Sequence, residues 1–223
     1  MGRQLPFDTF VVRKITKWTT RATLQSTSFI SAIGVSPLEE MIFFWNGYKK
    51  QSSEHLSQSL ANFSWSESQA GWKDEADDEK AILKVLRGVV LRNLRRHDES
   101  LAELRGVLSV DPNTLRGEGR DDWPIPVAHY EVAVNLWMQR VGYTNTYGEE
   151  IVAVGAGSSN ATTKVMSKED IVHDAALVAE VKKHIETAKN WGRFELDARV
   201  GMKITAASGA VKSWEGRHGG GKA

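Results

Sequence analysis

Residues 81–114 read AILKVLRGVVLRNLRRHDESLAELRGVLSVDPNT, and this stretch decides the fold. It has the length and landmarks of the 34-residue helix-turn-helix repeat that stacks into solenoids. Counting from Ala81, the small residue expected at position eight is Gly88, the bulky one at eleven is Leu91, and the closing proline at thirty-two is Pro112. Leu101, Leu104, Val107 and Leu108 follow at helical spacing, so the second helix carries an apolar stripe for the first to cover. Glycine inside a helix costs about 1 kcal/mol relative to alanine. Gly88 therefore implies a close helix crossing, and Gly88→Leu is expected to overpack it at a cost of about 1–3 kcal/mol.

Working outward, a second pair is traced from Pro126, where Ala133 and Leu136 take the places of Gly88 and Leu91. Its partner helix is delayed by residues 142–166, a Gly, Ser, Thr and Asn-rich stretch without helical periodicity that reads as a flexible inserted loop. Helix resumes at Ser167 and Asp170, which form a capping-box pattern, and Ala188 matches the small residue of the second helix. A last helix, from Phe194 to Trp214, carries Leu196, Val200, Ile204, Ala207, Val211 and Trp214 on one face. Glu195, Asp197, Arg199, Lys203 and Lys212 give it the polar outer side of a solenoid cap.

Upstream, Ser36, Pro37 and Glu39 spell a capped helix start, followed by the apolar run Met41 to Trp45. Phe7 to Trp18 and Ser53 to Phe63 read as further helices. The organisation expected is all-α: residues 1–70 as N-terminal helices packing on the repeats, 71–214 as tetratricopeptide-repeat-like hairpins in a short α-solenoid, and 215–223 as a disordered tail. The acidic residues Asp74, Glu75, Asp77, Asp78 and Glu79 fit a helix start beside a solvated face, because they complement the helix dipole.

Bulk properties exclude several functions. The chain has 223 residues, no cysteine and a net charge of +1, so neither disulfide nor thiolate chemistry is available and no field draws it to nucleic acid. No apolar run approaches the roughly 20 residues of a membrane-spanning helix, and the N-terminus lacks a secretory signal core. GRHGGGK at 216–222 has phosphate-loop spacing but lacks the following Ser/Thr, strand and helix, and reads as tail. Six histidines show no metal-binding spacing, and His173 and His184 read as surface residues. No cofactor, metal or catalytic constellation is expected, so the chain reads as a non-enzymatic binding scaffold. Of its eight tryptophans, Trp45, Trp137 and Trp214 are assigned to apolar helix faces, and Trp65, Trp72 and Trp123 to connections.

In repeats of this kind partners lie on the inner face of the first helix, which here presents Val85, Val89, Arg92 and Asn93. These four are the candidate partner-binding residues. With Val85 and Val89 at its centre, this face suits an apolar helix or a neighbouring repeat rather than a free carboxylate. The alternative function is a sterol or lipid carrier, which demands a closed apolar cavity of roughly 300–1,000 Å³.

Four segments carry a family resemblance: PLEEMIFFWNGY at 37–48, VLRGVVLRNLRRHDESLAELRGVL at 85–108, PVAHYEVAV at 126–134 and HIETAKNWGRFELDARVGMKITAA at 184–207. In this order they resemble the C-terminal part of the fungal inclusion-body clearance proteins, which are related to the tetratricopeptide repeat protein 39 family. The Trp45-Asn46-Gly47 tripeptide and the segment ending at Ala207 are its most specific parts. Members are several times longer than this chain. The resemblance implies a cytoplasmic protein with a nuclear pool, association with lipid-droplet proteins, and clearance of inclusion bodies after folding stress through a stored sterol derivative.

Overall fold

The computed structural model describes residues 6–117, 119–143, 167–192, 194 and 197–218. Among them the chain forms eight α-helices and no strand: α1 Pro6–Leu24, α2 Pro37–Phe44, α3 Ser53–Ser68, α4 Asp77–Asn93, α5 His97–Leu108, α6 Pro124–Met138, α7 Lys168–Lys189 and α8 Asp197–His218. From α3 onward each helix packs on the next along the chain, and α4 also meets α6. That pattern is a helical-repeat solenoid, with α4/α5 and α6/α7 as its hairpins.

The expected crossing at Gly88 is present. A Cβ placed there would lie 2.8 Å from Leu104 Cγ and 3.3 Å from the Ser100 carbonyl oxygen. Ser100 Oγ donates to the Gly88 carbonyl at 2.7 Å, so the two helices touch backbone to side chain. The overpacking cost of Gly88→Leu thus falls on Leu104, which is fully buried, and a shift in melting temperature measures it. α4 closes with Arg95 in the left-handed region at φ 64°, and the Arg96 amide donates to the Leu91 carbonyl at 2.9 Å. This returning bond turns the chain into α5. Buried Asn135 then ties α6 to α5, donating to Ser100 Oγ at 2.7 Å and to the His97 carbonyl at 3.2 Å.

The Ser167–Asp170 capping box forms with both reciprocal bonds at 3.0 Å. Where α6 ends, the Val141 and Gly142 amides donate to buried Asp174 at 2.7 and 3.0 Å. Of the expected 142–166 insertion, 144–166 lies outside the described residues, as do Glu195 and Leu196 of the last helix. Val200, Ile204, Val211 and Trp214 of α8 are buried as their spacing requires. α8 continues to His218, whose ring stacks on Trp214, so residues 215–218 are helix rather than disordered tail. Residues 219–223 are not among those described.

The N-terminal helices depart further from expectation. α1 is longer at both ends than Phe7 to Trp18. It packs with its cations inward: Lys14 is 3% exposed, whereas Val12 and Ile15 are 56% and 47% exposed. At the start of α2, Ser36 makes no side-chain capping bond. Glu39 is instead drawn into the interior, where it accepts from Tyr48 Oη at 2.8 Å and from Asn62 Nδ2 at 2.9 Å. Trp45 leaves the apolar face assigned to it and is 55% exposed. Trp123 goes the other way, buried against Phe43 and Phe44 with ring centroids 5.8 and 5.3 Å away.

Candidate functional site

Three of the four expected partner-binding residues lie inside the molecule. Val85, Val89 and Arg92 are all buried, because α4 is surrounded by α2, α3, α5 and α6. Arg92 pairs with buried Glu131 of α6 at 2.7 Å, and Asn93 turns back to the Val89 carbonyl at 2.8 Å. Helical spacing identified an apolar face correctly, but the chain supplies its own cover for that face. No partner reaches Val85, Val89 or Arg92 while these helices stay together.

The acidic run at the start of α4 is only partly the solvated face expected of it: Asp74 and Asp77 are exposed, but Asp78 and Glu79 are not. Asp78, Glu79 and Asp121 are fully buried, and carboxylate oxygens of the three lie within 4.8 Å of one another. Such a group offers the ligands of a metal ion, yet two ammonium groups from α1 already sit among them. Lys14 Nζ is 3.0 Å from Glu40, 3.0 Å from Asp121 and 3.5 Å from Glu79. Lys17 Nζ is 2.7 Å from Glu79 and also pairs with Asp78. Arg13 and Arg120 complete the balance on Asp121 and Asp78. Burial opposes ionisation of Glu79, but Lys14 and Lys17 outweigh it and hold the carboxyl down to about 2. Burial dominates at Glu40, which is pushed up to about 7 despite Lys14. With its four carboxyl groups buried and each paired with a cation, the cluster fastens α1 to α4.

A histidine pair was also invisible in the sequence, because its members are 55 residues apart. His129 of α6 and His184 of α7 meet with their Nδ1 atoms 2.8 Å apart, one ring donating and the other accepting. Trp191 flanks His129, and Glu180 lies 3.9 Å from His184 Nε2. Burial, and then the neighbouring ring, lower the His129 pKa from 6.5 to about 4. His184 is lowered too, by burial against the opposing pull of Glu180. The sign follows from linkage: the unfolded chain takes up a proton near pH 6.5 and the folded chain only near 4. The contribution is complete above pH 6.5 and is lost as pH falls through that window. Solvent screening of these part-buried rings limits it to about 1 kcal/mol. Urea midpoints of wild type and His129→Phe should diverge in that sense between pH 7 and 4.5, and parallel pH profiles would refute it.

Two concavities among the described residues are open clefts. One of about 260 Å³ is lined by Lys17, Arg21, Leu24, Asp74 and Glu75, and another of about 580 Å³ by Arg116, Lys183, Glu186 and Trp191. Neither is the closed apolar cavity that a sterol carrier demands. No helix among the described residues is long and apolar enough to cross a membrane.

Comparison with known proteins agrees with this architecture. Residues 1–94 match the family described as Iml2/Tetratricopeptide repeat protein 39. Over 221 residues, 98% of its length, the chain is 45% identical to "Inclusion body clearance protein iml2" of Aspergillus niger. It is 44% identical to the protein of that name from Aspergillus fumigatus, over 98% of its length, and 30% identical to that of Pyricularia oryzae, over 95%. The chain spans 31%, 30% and 25% of those three relatives. No solved structure matches it.

Proposed function

For a chain whose first 94 residues match the Iml2/Tetratricopeptide repeat protein 39 family and 98% of whose length aligns with an inclusion body clearance protein, we propose a non-enzymatic helical scaffold that binds protein partners during inclusion body clearance. The observation that carries this reading is the 45% identity to such a protein across 98% of the chain. The stacked hairpins support it, since helical repeats present extended surfaces to other proteins. In this reading the chain works in the cytoplasm, with a nuclear pool, and its partners are lipid-droplet proteins met after folding stress.

The test is affinity capture of the tagged chain from cells with and without folding stress. Leu104→Asp serves as the control, because a carboxylate at this fully buried position disrupts the hairpin core. Enrichment of lipid-droplet proteins by the intact chain but not by the control is the expected result. A folded chain that enriches the same proteins as the control, or none, overturns the scaffold reading.

A further inference from the structure

We propose that the outward face of α1 is a stacking surface for a further helical hairpin of the longer family proteins, carried by sequence outside the part that this chain matches. This goes beyond the partner-binding role and does not depend on it.

Every exposed residue of α1 after Asp8 is uncharged. Val12, Ile15, Thr16, Thr19 and Thr23 recur at helical spacing and share one face over about three turns. The threonines satisfy their hydroxyls within the helix. Thr16 Oγ1 donates to the Val12 carbonyl at 2.9 Å, Thr19 Oγ1 to that of Ile15 at 2.8 Å and Thr23 Oγ1 to that of Thr19 at 3.0 Å. The hydroxyls are thus spent on the backbone, and the face offers a neighbour mainly β-branched hydrocarbon. Every cation of α1 between Val12 and Leu24 has gone to the opposite side: Arg13 pairs with Asp121, Lys14 with Glu40, Lys17 with Glu79 and Arg21 with Glu75.

Other helices at the surface are built differently. α5 exposes Asp98, Glu99 and Arg105, and α7 exposes Lys182, Lys183 and Lys189. α1 has the composition of a helix covered on both sides, yet only the side of the charged seam is covered here. A stack of helical repeats closes on an element with a polar outer side. At the C-terminal end α8 supplies one, with Arg199 and Lys212 exposed; α1, ahead of the first hairpin, does not.

The longer relatives supply the occupant. The family match runs through α1, over residues 1–94. The chain spans only 31% of the Aspergillus niger protein and 30% of the Aspergillus fumigatus protein, so most of each relative lies outside the match. The chemistry of the face suits a helix, because small uncharged β-branched side chains let a second helix approach closely. A lipid surface fits worse: a helix lying on one needs cations free to reach headgroups, and those of α1 are held in the seam.

Cysteine accessibility tests this, because the chain has no cysteine of its own. Val12→Cys, Ile15→Cys and, on α8, Lys212→Cys are placed singly in this chain and in a full-length chimera. In the chimera this chain replaces the residues it matches in the Aspergillus niger relative. Maleimide labelling is followed at each position by peptide mass spectrometry. In the chain alone all three exposed positions should label readily. In the chimera Val12→Cys and Ile15→Cys should slow by about tenfold or more, and Lys212→Cys should not. Cysteines at the aligned positions of the unaltered Aspergillus niger protein should show the same protection in a natural full-length chain. As a second readout, Val12→Asp/Ile15→Asp should leave the melting temperature of the chain alone unchanged and lower that of the chimera. The proposal is overturned if the α1 positions label as fast in both full-length proteins as in the chain alone. It is also overturned if raising the concentration of the chain alone protects them, which makes the occupant a second copy, or if phosphatidylcholine vesicles protect them and the full-length proteins do not. None of these readouts involves captured partners, so failure here leaves the scaffold reading standing, and failure of capture leaves this surface standing.

Discussion

Lys14→Met is expected to lower the unfolding free energy by about 3–5 kcal/mol, the range for removing one partner from a buried charge group. The substitution keeps the length and apolar stem of the side chain, so the loss is electrostatic. Lys14 lies 3.0 Å from both Glu40 and Asp121, and both acids are out of contact with solvent. Without the ammonium they must protonate or stay charged at high cost, so the deficit should grow with rising pH. Glu40, already pushed up to about 7, is the first to take a proton. Adding Glu40→Gln to Lys14→Met should therefore recover part of the loss. Arg96→Ala, which breaks an exposed pair with Glu99, should leave stability almost unchanged. Urea unfolding followed by circular dichroism at pH 6 and 8 decides the matter. If Lys14→Met were as mild as Arg96→Ala, α1 would not be held by this cluster.

Trp123→Ala should cost about 3–5 kcal/mol, as large aromatic truncations in a core do. Trp123 is fully buried and sits just ahead of α6, with its ring stacked on Phe43 and edge-on to Phe44. It therefore joins α2 to the second hairpin, and the cavity it leaves would open between elements far apart in sequence. Its indole Nε1 has no hydrogen-bond partner, so Trp123→Phe loses volume without losing a bond and should be distinctly milder. Trp65→Ala, at a residue 62% exposed, is the comparison expected to stay within about 0.5 kcal/mol of wild type. Equal melting temperatures for Trp123→Ala and Trp65→Ala would refute this account.

These two residues mark the boundary between local and tertiary information. The spacing of Gly88, Leu91, Leu101, Leu104 and Pro112 was sufficient to read a helical hairpin, because each landmark acts within one turn or across one crossing. The Ser167 cap and the buried stripe of α8 were legible for the same reason. Composition likewise excluded thiol and disulfide chemistry. What no local pattern contains is the identity of the surface that arrives from elsewhere in the chain. Lys14 meets Glu79 across 65 residues and Arg13 meets Asp121 across 108. Only the folded arrangement sets Asp78 and Glu79, part of an apparently solvated acidic run, against Lys14 and Lys17 of α1 in a buried seam. Val85 and Val89 were recognised as one apolar face, but whether a partner or the chain itself covers it depends on where α2, α3 and α6 pack. Trp45 and Trp123 exchange their expected places for the same reason. A side chain's preference for burial is intrinsic, whereas its neighbours, which decide whether a charge is compensated or a ring is exposed, are a property of the fold.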